Sequence, residues 1–291
     1  MTDHLGVTHI MTIAQPAHDN LPPNYLICAP DFFEVSYIIN PWMRPAEWAQ
    51  DAEALHKKAQ QQWSALRGTM QDLGWGIQQI APAKGLPDMV FTANHAFVLG
   101  KTALIARFAS KERTGESPLA ATWFAEQGFR VVQTQEMFEG GGDALYDPAV
   151  DLIFLGHGFR SQLPAAMEIQ GLFQKRVVPL QLVDERFYHL DTCFCPLLNG
   201  YAMATPLAFN EQGLDTLKDI YGDKLLLVDD QAAAAFACNA VVHGQDIVMP
   251  IITNTLRAAL QNLGFTLHEL PLDSFLMAGG ASRCLTLKLT D

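Results

Sequence analysis

A chain of 291 residues, 49% hydrophobic and 17% charged, has room for one large domain or two modest ones around a substantial core, which excludes a disordered polymer. A net charge of −12 argues against a nucleic-acid or anionic-membrane partner and is compatible with a cationic small substrate. No run approaches the ~18 apolar residues of a membrane helix, residues 1–20 lack the apolar core of a signal peptide, and five scattered cysteines form no secreted framework, so reduced thiols in a cytoplasmic protein are expected.

Residues 1–24 read as a polar lead-in. Residues 25–30 read as a buried strand, continued over 31–40. The first helix is expected over 51–73: Leu55, Ala59, Trp63, Leu66 and Met70 recur at spacings of three and four, and Gly74 and Gly76 end it. After a turn at 85–88, residues 89–91 read as a strand followed by polar Thr92 and Asn94. A hairpin follows, 96–99 and 103–106 about Gly100 and Lys101, with Arg107 at its end. Residues 116–128 read as a helix stopped by Gly128.

The same unit then returns. Glu139-Gly140-Gly141-Gly142-Asp143 opens a hairpin, 144–146 and 152–155, with Arg160 just past it. Residues 189–195 open another that turns at Asn199-Gly200, and residues 236–242 a fourth that turns at His243-Gly244. A helix over 253–263 and a strand over 265–270 lead to the small-residue loop 278–282, Cys284 and an alternating strand over 285–289. With the N-terminal unit there are five copies at roughly 45–50 residues, a period that signals a radial or stacked array. Each copy puts its polar residues at the start of a strand. Around an axis those starts converge on one cavity and gather Asn94, Glu139, His189 and Cys284.

That set can do chemistry. A thiol at a loop–strand junction is expected to be partly open, where a thiolate nucleophile needs access, although a free Cys is as readily a small core residue. His189 can move protons or simply pack in its aromatic run after Phe187 and Tyr188. Glu139 or Asp191 can orient it or hold a cation. Arg107 and Arg160 suit a bidentate grip on a carboxylate, or are ordinary surface charges. The glycine-rich turn lacks the Gly-Lys-Ser/Thr of a phosphate loop. Cys193 and Cys195 alternate with Phe194 in an apparent strand, unlike a structural zinc pair, so no metal is expected.

Six segments together resemble the guanidino-group modifying superfamily of arginine deiminases, dimethylarginine dimethylaminohydrolases, amidinotransferases and arginine dihydrolases. They are Ile38-Ile39-Asn40-Pro41-Trp42-Met43, Pro87-Asp88-Met89-Val90-Phe91-Thr92-Ala93-Asn94, Phe138-Glu139-Gly140-Gly141-Gly142-Asp143-Ala144-Leu145, Gly158-Phe159-Arg160-Ser161, the run 187–196 and the run 279–286. The motifs resemble most the catalytic domain of bacterial arginine dihydrolase. The resemblance implies an α/β fold, a five-bladed pseudo-symmetric α/β propeller (the pentein fold), as one catalytic domain over 25–291 without the C-terminal domain some dihydrolases carry. It implies Cys284 as nucleophile, His189 as general acid and base, and Glu139 as holder of His189 and the guanidinium. Asp191 would bind guanidinium nitrogens, and Asn40, Arg107 and Arg160 the amino-acid end. The implied partner is L-arginine, with no cofactor; a homo-oligomer is compatible. At Asn94 the sequence departs from deiminases, which carry a second guanidinium-binding aspartate there. A neutral amide holds citrulline less unfavourably than a carboxylate, which favours a second hydrolysis to ornithine. A deiminase, a dimethylarginine hydrolase, an amidinotransferase and a non-catalytic arginine-binding protein are the rivals.

Overall fold

The computed structural model describes residues 22–289. The lead-in expected over 1–24 lies, up to residue 21, outside the described residues, and a strand already begins at Asn24. In chain order the main elements are β1 (Asn24–Cys28), α1 (Ala52–Asp72), β2 (Gly76–Ile80), β3 (Ala96–Leu99), β4 (Thr102–Ile105), α2 (Glu116–Glu126), β5 (Arg130–Gln133), β6 (Ala144–Asp147), β7 (Leu152–His157), α3 (Ala165–Phe173) and β8 (Arg176–Gln181). They continue with β9 (Phe194–Pro196), β10 (Ala202–Ala204), α4 (Glu211–Tyr221), β11 (Leu225–Leu227), β12 (Val241–His243), β13 (Asp246–Pro250), α5 (Asn254–Asn262), β14 (Thr266–Leu270) and β15 (Leu287–Lys288).

These form five three-stranded sheets of one design. An antiparallel hairpin is followed by a helix, and the helix returns a third strand parallel to the second, as in β3-β4-α2-β5. A parallel partner requires such a crossover. The fifth sheet is built from both ends of the described chain: β15 pairs antiparallel with β1, with Leu26 opposite Leu287, and β1 pairs parallel with β2. Helices α1, α2 and α5 stop alike. Gly74, Gly128 and Gly264 take φ of 77°, 77° and 89°, a left-handed stop that costs glycine least. The aromatic residue after each then donates back into the last turn, Trp75 to Met70, Phe129 to Phe124 and Phe265 to Leu260. The three sequences share this because each crossover helix must reverse onto its own sheet.

Two expected strands are absent. Residues 31–40 are bends and turns, and residues 87–90 form a 3-10 turn. The strand expected over 285–289 shortens to Leu287–Lys288. In place of strand starts, the polar stretch ahead of each hairpin is a tight lead turn, 3-10 in the first three sheets: Thr92–His95, Gly140–Gly142 and Leu190–Thr192. The lead turns are linked in a closed ring. Asn94 Nδ2 donates to the Glu139 carbonyl (3.4 Å), Leu190 N to Asp143 Oδ1 (3.1 Å) and Asn239 Nδ2 to the Asp191 carbonyl (3.1 Å). Arg283 N donates to the Asn239 carbonyl (3.2 Å), and Ala93 N to the Cys284 carbonyl (3.2 Å). Buried backbone groups with no strand partner must be paired somewhere; here they pair around the axis, and this fixes the functional side chains relative to one another.

Candidate active site

The ring borders a narrow cleft lined by Asn40, Asp88, Asn94, Arg113, Arg160, Tyr188 and Cys284 with apolar Ile39, Met43, Phe91 and Ala278. Beside it, His189 and Glu139 form a buried pair. His189 Nε2 lies 2.7 Å from Glu139 Oε2, and Arg160 Nη1 lies 3.1 Å from the same oxygen. Ala109 N donates to the other oxygen at 3.0 Å. Burial alone would raise the Glu139 carboxyl, but Arg160, His189 and Arg113 outweigh it and hold the group at about 2. Glu139 is therefore an anion, and it orients the imidazole with Nε2–H toward itself. Nδ1 is left as an acceptor, with Asn94 Nδ2 3.5 Å away.

The Asn94 amide has one possible orientation. Arg113 Nη1 donates to its Oδ1 at 2.9 Å, and a guanidinium can only donate. The NH₂ group must therefore face Glu139 and His189. Arg113 is itself clamped by Glu116, Nε to Oε1 at 2.8 Å and Nη2 to Oε2 at 2.7 Å.

Cys284 differs from the sequence expectation. It is not partly open: its residue is 2% exposed. The thiol lies 3.4 Å from Asp191 Oδ2 and receives a hydrogen bond from Asn239 Nδ2 at 3.0 Å. Burial, and then the Asp191 charge, push the thiol well above its ordinary range. Burial likewise raises Asp191 to about 7, although Arg283, Cys284 and Asn239 work against it. A thiol in this setting stays protonated.

Arg160 and Asn40 both line the cleft. Arg160 stacks over Tyr188, 4.8 Å from the ring centroid, and donates to the Ile39 carbonyl at 2.6 Å. Asn40 ties the rim together through Ala278 O and Trp42 N. Arg107 is not brought to the cleft. Its backbone bridges Phe138 while its exposed guanidinium donates to the Gln135 carbonyl. Arg113, on the turn Lys111–Arg113 that folds back toward the axis, stands in the cleft instead. Sequence reasoning also missed Asp88, whose Oδ1 is buried without a hydrogen-bond partner while Tyr37 donates to Oδ2 at 2.9 Å. It missed Asn239 too, although the lead-turn register of the fourth unit pointed to it. Cys193 and Cys195 form no zinc pair; both thiols face backbone carbonyls, and among the described residues no His, Cys, Asp and Glu cluster is arranged for a metal.

The family profile described as N,N dimethylarginine dimethylhydrolase, eukaryotic, matches residues 36–290. The bifunctional arginine dihydrolase/ornithine cyclodeaminase ArgZ of Synechocystis sp. is 42% identical over 91% of this chain, which spans only 37% of that protein's length. The N(G),N(G)-dimethylarginine dimethylaminohydrolase of Mycobacterium tuberculosis is 37% identical over 91% of this chain and 85% of its own. The crystal structure of the ArgZ N-terminal domain bound to product superposes with a TM-score of 0.87 at 40% identity, covering 93% of this chain and 98% of that one. The five sheets are thus the blades of the pentein fold, and the chain belongs to the dimethylarginine dimethylaminohydrolase family of the guanidino-group modifying superfamily.

Proposed function

We propose that this chain is an arginine dihydrolase: a cytoplasmic, cofactor-free hydrolase that converts L-arginine to ornithine, carbon dioxide and two ammonia in one catalytic domain over residues 25–291. In the first cycle the guanidinium cation settles beside Asp191 and Cys284. Its charge favours the thiolate, which attacks the guanidinium carbon. His189 takes up the thiol proton and delivers it to the departing nitrogen, so ammonia leaves and an S–C bond remains. His189 then activates a water, which breaks that bond and releases citrulline. A second round on the urea carbon, with a second water, yields ornithine, carbon dioxide and the second ammonia. Asp88 accepts the α-ammonium group and Arg160, with Arg113, receives the α-carboxylate. The Arg113 assignment replaces that of Arg107.

The observation that carries the dihydrolase reading is the Asn94 amide, turned by Arg113 so that its NH₂ faces His189. A donor there repels the N–H of a guanidinium but suits the oxygen of a urea, so citrulline is held for a second attack. Product analysis by mass spectrometry with arginine, citrulline, dimethylarginine and agmatine tests it. Ornithine is expected from arginine, with Asn94→Asp shifting the product toward citrulline. A parent protein that stops at citrulline is a deiminase, and one that acts only on dimethylarginine refutes the substrate. The second reading, dimethylarginine hydrolysis, draws on the family profile and the mycobacterial relative.

A further inference from the structure

We infer that Asn239 is a positioning residue for the nucleophile: its carboxamide fixes the Cys284 loop and donates a hydrogen bond to the sulfur, so that a thiolate can exist in a buried acidic site. The inference rests on the reading of Cys284 as the nucleophile.

Asn239 is fully buried, 0% exposed, and its amide is used on both sides. Oδ1 accepts from Ala281 N at 2.9 Å and from Cys284 N at 3.2 Å. Nδ2 donates to the Asp191 carbonyl at 3.1 Å and to Cys284 Sγ at 3.0 Å. Because Oδ1 receives two backbone N–H groups, the amide cannot flip, and the NH₂ must face the sulfur. Its own backbone is set by Phe236, a non-glycine residue at φ 59°, whose carbonyl accepts Asn239 N at 2.9 Å. A neutral thiol is a weak acceptor, whereas a thiolate accepts a charge-assisted bond. The contact therefore favours the reactive form over the resting one. Asp191 does the opposite to the same sulfur, so Asn239 is the neutral group that offsets it without adding a charge the guanidinium would have to meet. Asn239 also holds the lead-turn position of the fourth unit, the one unit whose contribution to the site was otherwise missing beside Asn94, Glu139, His189 and Cys284.

Two variants separate the roles. Asn239→Asp keeps the shape and the acceptor; Asn239→Leu keeps the bulk and adds no charge. The readout is the pH dependence of Cys284 alkylation by iodoacetamide, mapped by peptide mass spectrometry without substrate, beside kcat and KM for arginine. Both variants should raise the Cys284 titration by about one pH unit or more and lower kcat by about tenfold to hundredfold, with KM changing less than about threefold. An unmoved Cys284 titration overturns the inference even if activity falls, because loop collapse alone would produce that result. If either variant fails to fold, Asn239→Ser carries the same expectations. Turnover surviving in Cys284→Ser would instead remove the nucleophile reading, which the alkylation titration does not depend on.

Discussion

The nucleophile's difficulty is electrostatic. Cys284 lies out of solvent beside a carboxylate, and both features oppose ionisation. The fold places a neutral donor, Asn239 Nδ2, at the sulfur, and on the proposed function the positive charge is left to the substrate. The same economy governs the far end of the cleft. Arg113 is held by Glu116 and in turn sets Asn94, so on the proposed function one arginine would serve both ends of the substrate. Arg113→Ala is therefore expected to lower kcat/KM for arginine by at least about tenfold, the scale of a lost charge-assisted bond, and to blur the citrulline-to-ornithine ratio. Arg107→Ala should leave both within about twofold. Equal losses in steady-state assays of the two variants would restore Arg107 to the site. Asn94, Glu139, His189 and Cys284 stood out in the sequence as candidates because each opens a copy of the repeat, and Asp191 through its place beside His189 and the family resemblance. Arg113 did not, since a one-turn excursion between hairpin and helix has no period to betray it. Asp88 hid within what read as an ordinary turn.

At the level of elements, hairpins and three of the crossover helices were legible because their apolar periods of two and of three to four are strong signals, whereas the helices Ala165–Phe173 and Glu211–Tyr221 were not read. Nor was the third strand of most blades. Arg130–Gln133 and Leu225–Leu227 are short, half-exposed edge strands whose character comes from pairing with a central neighbour. The lead turns read as polar strand starts or, at Gly140–Gly142, as a glycine-rich turn; that they are buried 3-10 backbone was not visible, because such backbone carries no alternation. Glycine marks where these turns press together. A Cβ added at Gly142 would overlap Asn94 Nδ2 and come within 3.4 Å of the His189 ring. Gly142→Ala must therefore displace the amide that Arg113 orients. The expected result is a folded protein, by circular dichroism, that turns arginine over more slowly and releases a larger share of citrulline. An unchanged product ratio would mean that the position of Asn94 does not set the second hydrolysis.

Over the whole molecule, closing five blades on one axis concentrates buried carboxylates, and this makes stability depend on pH in a definite direction. Burial raises Asp191 to about 7 and Asp88 and Asp143 to about 6. A carboxyl whose folded pKa lies above its unfolded value stabilises the fold most when protonated, below about 4, and that contribution is lost as pH rises through the folded pKa. Glu139, held at about 2, acts oppositely: its contribution is present above its ordinary range and is lost only as pH falls toward 2. Between pH 5 and 7.5 the raised group decides the slope, and the parent protein should lose stability as pH increases across that window. Asp191→Asn removes the largest of these shifts while preserving shape and an acceptor for Cys284. In urea unfolding at pH 5 the variant should be only slightly more stable than the parent, because Asp191 is then still mostly protonated in the fold while its carboxyl in the unfolded chain has begun to ionise. At pH 7.5 the variant should be more stable by roughly 1–3 kcal/mol, and without turnover, since the carboxylate that would face the guanidinium is gone. A stability gap that stays constant between the two pH values would show that Asp191 titrates normally, and the account of a thiol kept neutral by its acidic neighbour until substrate arrives would fall with it.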